Sequence, residues 1–114
     1  MKMPLFIKTE TFTTRTRALS VQKRKVHLDD HRAWVKSIQN SGGYMVSGYL
    51  VDKDGFPGGG GVLVFEAETF QSAKAMILDD PMISRGLVKW ALNEWRPICG
   101  NLSELFRVSA DSRP

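Results

Sequence analysis

The chain has 114 residues, the length of one domain, and its composition of 42% hydrophobic and 25% charged residues excludes a disordered polypeptide. No apolar run is close to the length of a membrane-spanning helix, which needs about 20 residues, and the N-terminus has no long apolar signal segment. The single cysteine, Cys99, excludes an internal disulfide framework, zinc fingers and paired-cysteine redox motifs. We therefore expect a small globular protein of the cytoplasm with no membrane partner.

The net charge of +4 is unevenly distributed. Residues 1–40 contain nine Lys or Arg and three acids, whereas the remainder contains seven basic and nine acidic residues. The basic segment from Arg15 to Lys25 could contact phosphates or an anionic substrate. Since no nucleic-acid-binding motif accompanies it, the simpler interpretation is a solvated loop and first helical turn. We expect no nucleic-acid partner.

The first half of the chain reads as strand, helix, strand. Residues 4–12 are rich in β-branched and aromatic residues with partial alternation, which predicts a strand. A polar, basic stretch follows to about residue 25, and residues 26–41 have helical spacing that ends at two glycines. Residues 44–51 predict a second strand. The apolar stripe of the helix contains Leu28, His31, Trp34, Val35 and Ile38.

The second half predicts loop, strand, helix, strand. Residues 52–61 contain Asp-Gly, Pro and four consecutive glycines, which favour a loop, and the glycines lack the Lys-Ser/Thr of a phosphate-binding loop. Residues 62–67 predict a central strand. Thr69 caps a helix that Pro81 ends, with Phe70, Ala73 and Ile77 on its buried face. A helical turn over 82–86 and an alternating strand over 88–95 follow, and residues 101–114 form an extension to a domain over 1–100.

This order of elements predicts an α+β fold of the ferredoxin-like βαββαβ type, with a four-stranded antiparallel sheet and both helices on one face. The strands nevertheless supply apolar side chains to both faces, as in the neighbours Phe6 and Ile7 or Leu63 and Val64. A second copy is the simplest cover for the face without helices. We therefore expect a homodimer paired sheet to sheet.

Five segments carry a family resemblance, and their order and spacing are more specific than any one of them. Over about residues 4–100 the chain resembles the YCII-related (YciI-like) proteins of the dimeric α+β barrel superfamily. The resemblance implies a paired-sheet dimer, a small pocket between the sheet and the helices, and a His–Asp dyad at His31 and Asp80. The matching segments are HRAW at 31–34, SGGYMVSGYL at 41–50, GGGVLVFEAETFQSAKAM at 59–76, DDP at 79–81 and GLVKWALNEWRP at 86–97.

Two positions near the expected pocket depart from the family pattern. Gly48-Tyr49 stands where family members usually have Gly-Pro, and residues 28–30 (Leu-Asp-Asp) replace the Arg-Pro that commonly precedes the family histidine. A dehydrochlorinase acting on a chlorinated hydroxyquinol is among the family's known activities. Because the departures touch the pocket, the resemblance does not carry a family substrate over to this chain.

His31 and Asp80 are suited to proton transfer. A histidine titrates near pH 6.5 in general, and a carboxylate on one ring nitrogen fixes the tautomer and raises the basicity of the other. Asp80 is predicted at the C-terminal end of a helix, where the dipole disfavours an anion, so a protonated His31 would be a suitable partner. The competing interpretation is a packed helix histidine and an aspartate that hydrogen-bonds nearby backbone.

Four further residues are candidates for substrate binding. Trp34, one helical turn from His31, could wall a pocket for a planar ring or could simply be a core anchor. Ser47 and Tyr49 fall where the family lines its pocket, although an ordinary strand fits them as well. Arg85 could hold an anionic substrate or be solvated.

No cofactor or metal is expected. His27 and His31 have the four-residue spacing of a metal-binding pair, but the sequence offers no obvious third ligand. The lone Cys99 has no neighbouring histidine and reads as an inert thiol.

Two functions remain open. The first is a small-molecule enzyme in which His31, oriented by Asp80, moves a proton in a lyase, isomerase or dehydrochlorinase-like reaction. The alternative is a non-catalytic dimer that binds a small ligand or a partner. The feature that discriminates between them is whether His31 and Asp80 meet in an open site or are sealed in the core.

Overall fold

The computed structural model describes residues 3–101, so the extension predicted over 101–114 lies outside the described residues from residue 102 onward. Within them, four strands and two longer helices follow the predicted βαββαβ order. Two short helices are also present, and the second begins one residue before the helical turn predicted over 82–86. None of the described helices has both the length and the apolar character needed to cross a membrane. The elements are β1 (Leu5–Phe12), α1 (Thr14–Ala18), α2 (Val21–Asn40), β2 (Met45–Val51), β3 (Pro57–Glu66), α3 (Phe70–Ile77), α4 (Pro81–Ser84) and β4 (Val88–Trp95).

The four strands form one antiparallel sheet in the order β2-β3-β1-β4. The central strand β1 pairs Phe6 with Phe65 of β3 and Lys8 with Leu92 of β4. Strand β2 pairs only with β3 and therefore forms one edge of the sheet. This topology confirms the predicted ferredoxin-like α+β fold.

The core lies between one face of the sheet and the helices. Phe6, Leu63 and Phe65 project from that face and are almost fully buried against Val35 of α2 and Ile77 of α3. Directly paired residues of an antiparallel sheet share a face, so the pairing of Phe6 with Phe65 places both rings in this layer. The alternation predicted for the strands therefore sets which side chains meet the helices.

The basic stretch is helical, and the prediction of a loop there is wrong. Helix α2 begins at Val21, five residues earlier than predicted, because the Ser20 hydroxyl accepts a hydrogen bond from Lys23 N at 3.2 Å. Helix α1 precedes it and is capped in the same way by Thr13, which accepts from Thr16 N. Apolar periodicity could not show these turns because they present few apolar residues to the core.

The four glycines lie in a strand, so the loop predicted over 52–61 is wrong from residue 57 onward. Gly59 has a positive φ of 84°, and a Cβ there would lie 3.1 Å from both the Phe12 ring and the Arg17 guanidinium. Arg17 Nη1 also donates a hydrogen bond to Gly58 O at 2.9 Å. Gly59 thus lets α1 approach the start of β3 closely.

Helix α3 buries a narrower face than predicted. Ala73 and Ile77 are buried as expected, whereas Phe70 is 45% exposed and its ring lies at 62° to the ring of Phe6, with centroids 6.3 Å apart. The helix ends at Ile77, and Pro81 opens α4 rather than terminating α3 directly. This break matters for the site because it places Asp80 between two helices.

The opposite face of the sheet is apolar and partly exposed. Val46 pairs with Val64, and Ile7 pairs with the same Val64 on the other side. Val46 and Leu50 of the edge strand remain 38% and 55% exposed. The described part of the chain therefore leaves apolar side chains of the edge strand exposed on this face.

Candidate active site

The ring of His31 joins α2 to two other parts of the fold. Its Nδ1 lies 2.9 Å from Asp80 Oδ1, and its Nε2 lies 2.9 Å from Ser47 Oγ. The His31 side chain is 13% exposed, the Asp80 side chain is fully buried, and Ser47 on β2 is exposed. The predicted dyad therefore meets at the boundary of the core, with one end of the imidazole turned toward the surface.

Asp80 is the N-cap of α4, which corrects its predicted place at the C-terminal end of a helix. Its Oδ1 accepts a hydrogen bond from Met82 N at 3.0 Å, and Pro81 occupies the first helical position. The prediction was wrong because α3 ends at Ile77 and a new helix begins after Asp80. Asp80 therefore makes both contacts: the hydrogen bond to nearby backbone that the competing interpretation predicted, and the hydrogen bond to His31.

A buried lysine, which the sequence analysis missed, completes the surroundings of Asp80. Lys8 of β1 is 1% exposed, and its Nζ lies 3.4 Å from Asp80 Oδ2 and forms a close ion pair with Glu10. The alternation of β1 carried the signal, since it puts Lys8 on the same face as the buried Phe6. A charge at such a position needs partners, and the structure supplies two carboxylates.

Asp80 is held in its ionised form. Burial acts to raise the pKa of the carboxyl, but the hydrogen bond and charge of His31, the charge of Lys8 and the Met82 N–H together hold the pKa below its usual value. Asp80 is therefore a carboxylate throughout the neutral range and can only accept hydrogen bonds.

The state of Asp80 fixes the tautomer of His31. Because the carboxylate only accepts, Nδ1 carries the proton and donates it toward Asp80 Oδ1. In the neutral ring Nε2 is then the lone-pair nitrogen, and the Ser47 hydroxyl donates to it. The basic end of the imidazole thus points away from the core toward the exposed residue of the edge strand.

The other predicted binding residues divide into two groups. The Trp34 ring lies beside the imidazole, with centroids 5.9 Å apart and planes at 39°, and Tyr49 projects from the same face of β2 as Ser47 but is 67% exposed. Arg85 belongs elsewhere, because its Nη1 lies 2.9 Å from both His27 Nδ1 and Asp30 Oδ2. His31, Trp34 and Ser47 are brought together, whereas Arg85 joins a surface cluster.

In the single chain the dyad is mostly buried, because the His31 side chain is 13% exposed and the Asp80 side chain is fully buried. Two hollows on the described surface, of about 500 and 290 Å³, lie elsewhere, and neither includes His31 or Asp80. Within residues 3–101 no group of three His, Cys, Asp or Glu side chains is placed to hold a metal ion. The first hollow is lined by residues 95–101, and the second by Thr9, Glu10, Thr11, Lys89, Trp90 and Ala91.

Most of the chain matches a known protein family. Residues 10–96 match the sequence profile of the YCII-related domain. The chain belongs to the YCII-related family. His31, Ser47 and Asp80 all lie inside the matched range, and the resemblance drawn from the five sequence segments is confirmed. Among curated protein sequences, none matches the chain significantly.

A solved dehydrochlorinase structure supports the fold. A 5-chloro-2-hydroxyhydroquinone dehydrochlorinase from Burkholderia phenoliruptrix AC1100, in complex with 2,5-dihydroxybenzoquinone, superposes with a TM-score of 0.60 at 19% identity, over 81% of this chain and 93% of that chain. Ribosomal protein S6 from Thermotoga maritima matches with a TM-score of 0.48 at 8% identity, over 97% of this chain and 98% of its own. At this identity the dehydrochlorinase shows a shared fold.

Proposed function

We propose that this member of the YCII-related family is a small-molecule enzyme in which His31 is the general base and acid and Asp80 orients it. The observation that carries the proposal is the imidazole whose Nδ1 is bonded to a buried carboxylate while Nε2 is turned outward. A general base needs this arrangement because the carboxylate stabilises the imidazolium that forms when Nε2 takes a proton. The reaction class is a lyase, an isomerase or a dehydrochlorinase-like elimination.

A lone acid–base dyad is sufficient for such an elimination. Nε2 of His31 takes a proton from the substrate, the electrons of that bond form a new double bond, and chloride leaves with the electrons of the carbon–chlorine bond. Asp80 remains a carboxylate and holds the imidazolium through Nδ1. The proton on Nε2 then passes to water, so the products are the unsaturated compound and hydrogen chloride.

A planar, hydroxylated and halogenated aromatic compound is the substrate class that the site suits best. The Trp34 ring beside His31 offers an apolar surface to a flat ring, and the Ser47 hydroxyl lies within hydrogen-bonding distance of the imidazole. The similarly folded dehydrochlorinase was solved with a quinone. Tyr49 lies two residues along the same strand face and can extend the surface.

The test is a survey of chlorinated and hydroxylated aromatic compounds with the purified protein. In an elimination, removal of a proton by His31 should release chloride, which an ion electrode measures. In an isomerisation, it should exchange a substrate hydrogen for deuterium in heavy water, which NMR measures. Binding of a compound without release or exchange would support the alternative function, a non-catalytic ligand-binding or interaction dimer.

The apolar outer face of the sheet supports a homodimer as the working form. A charge on this face should separate the two copies, because an unpaired carboxylate is costly to bury. We expect Val46→Glu to convert the protein from dimer to monomer, whereas Val26→Glu, at an exposed valine of α2, should leave the mass unchanged. Light scattering after gel filtration measures the mass, and a monomeric wild type would contradict the expectation.

A further inference from the structure

Three side chains form a line at the site: the carboxylate of Asp80, the imidazole of His31 and the hydroxyl of Ser47. Both links measure 2.9 Å, from Asp80 Oδ1 to His31 Nδ1 and from His31 Nε2 to Ser47 Oγ. This order of acid, base and hydroxyl is the arrangement that activates a serine as a nucleophile. From the sequence, Ser47 is a candidate for substrate binding, with an ordinary strand residue as the alternative.

Ser47 is accessible to a reactant. It lies in the edge strand β2 and is exposed, whereas the carboxylate behind the imidazole is buried. The hydroxyl donates to the lone pair of Nε2, so the proton that attack would release already points at its acceptor. An electrophile can therefore approach Ser47 Oγ from the surface while the base stays in place.

The backbone N–H of Ser47 faces the open edge of the sheet. Glu66 N donates to Tyr44 O at 3.2 Å, so Tyr44 and Glu66 form a hydrogen-bonded pair of the antiparallel ladder. Such pairs alternate with pairs whose backbone groups point outward, and Ser47 with Leu63 is of the outward kind. Met45 confirms the alternation, since its outward carbonyl accepts from Gln39 Nε2 at 2.8 Å.

An outward N–H on the nucleophile itself is one of the donors that serine hydrolases use for the oxyanion. In this chain the donor lies on a strand, which fixes its direction better than a loop would. Ser47 thus supplies both the attacking oxygen and one hydrogen bond to the charge that attack creates.

We propose that Ser47 is a nucleophile that accepts acyl groups from small carboxylic esters. Ser47 Oγ bonds to the ester carbonyl carbon while its proton passes to His31 Nε2, and the tetrahedral oxyanion accepts from Ser47 N–H. The bond to the alkoxide breaks, and the alkoxide takes the proton from Nε2. Water then repeats the step, giving its proton to Nε2, releasing the carboxylic acid and restoring the Ser47 hydroxyl. The net reaction is ester plus water to acid plus alcohol.

This activity goes beyond the elimination proposed above, although both use His31. In the elimination Nε2 takes a proton from carbon or oxygen of the substrate, whereas here it takes the proton of Ser47. The two are separable because a covalent bond to Ser47 forms only in the second. The test therefore measures that bond and needs no knowledge of the elimination's substrate.

The experiment treats the full chain with an alkyl fluorophosphonate, followed by intact-mass measurement and peptide mapping. Ser47 Oγ bonds to phosphorus, fluoride leaves, and the serine proton passes to His31. We expect one adduct, on Ser47, in the wild type. Ser37 on α2 is an internal control that should stay unmodified, since its hydroxyl donates to Trp34 O at 2.7 Å.

Two variants sharpen the result. Ser47→Ala should show no adduct, and His31→Gln should slow labelling by about a hundredfold or more because the base is lost. An unmodified wild-type Ser47, under conditions that fully label a reference serine hydrolase, would overturn the proposal. An adduct on another residue, or equally fast labelling of Ser47 in a folded His31→Gln protein, would overturn it as well.

Discussion

Replacing His31 by Gln should reduce kcat/KM by about 10²- to 10⁴-fold for any compound the protein is found to turn over, which is the range that general acid–base catalysis contributes. Glutamine is similar in reach and can still donate to Asp80 Oδ1, but it has no nitrogen that takes up a proton near neutral pH. The assay is the chloride-release or exchange measurement described above. The loss should appear in kcat rather than only in KM, because the base acts in the transition state.

The matched control is His27→Gln. His27 lies one turn before His31 on α2, and its ring contacts Arg85 instead of Asp80. This substitution should leave turnover within about a factor of two, a change that would correspond to less than 0.5 kcal/mol. Equal losses in both variants, or a fully active His31→Gln protein, would contradict the role given to His31.

Replacing Asp80 by Ala should lower the free energy of unfolding by about 3 kcal/mol. Removing one member of a buried ion pair typically costs about 3–5 kcal/mol, and Lys8 retains Glu10 as a partner, which places the expected loss at the lower end. The Met82 N–H also loses its cap, and His31 loses the acceptor of its Nδ1 proton. Urea unfolding at one fixed protein concentration measures the change.

The neighbouring Asp79 provides the control, because its side chain is exposed while that of Asp80 is buried. Asp79→Ala should change the free energy of unfolding by less than about 0.5 kcal/mol. If Asp80→Ala is as stable as Asp79→Ala, the buried ion pair of Asp80 with Lys8 does not stabilise the fold, and the prediction is wrong.

The contribution of Asp80 to stability should depend on pH in one direction. Its pKa is lower in the folded chain than in the unfolded chain, so the stabilisation is fully present above about pH 4 and is lost as the pH falls through the folded pKa. The difference between wild type and Asp80→Ala should therefore shrink in acid. A difference that stays constant as the pH falls from about 5 to about 2 would contradict this assignment.

The sequence could predict the fold for physical reasons. Alternation in β1 and β4 and the helical stripe of α2 reflect a single buried face, so these elements and their order follow from the pattern. His31 and Asp80 came from the family resemblance. Their contact depends on a distance between α2 and the start of α4, which no local pattern reports.

The errors have equally specific causes. The start of α2 depends on the Ser20 cap, and polar turns without a buried face give no periodic signal. Strand pairing with β1 and β2 places Gly60 and Gly61 in β3, and Gly59 leaves room for Arg17 of α1; these tertiary contacts override the local tendency of glycines to form loops. The place of Asp80 was mistaken because a proline can either end a helix or occupy its first position. In this chain Pro81 is the first residue of α4.

The protonation of the His31 ring tests the central claim most directly. The chain has two histidines, so the spectrum of His27→Gln assigns the ring nitrogens of His31 in long-range ¹H–¹⁵N NMR at a pH where the ring is neutral. The predicted result for the wild type is a proton on Nδ1 and no proton on Nε2, because a carboxylate holds that tautomer. The chemical shifts of the ring nitrogens should change in Asp80→Asn. A proton on Nε2, or nitrogen signals that ignore Asp80→Asn, would contradict the dyad and with it the proposed proton transfer.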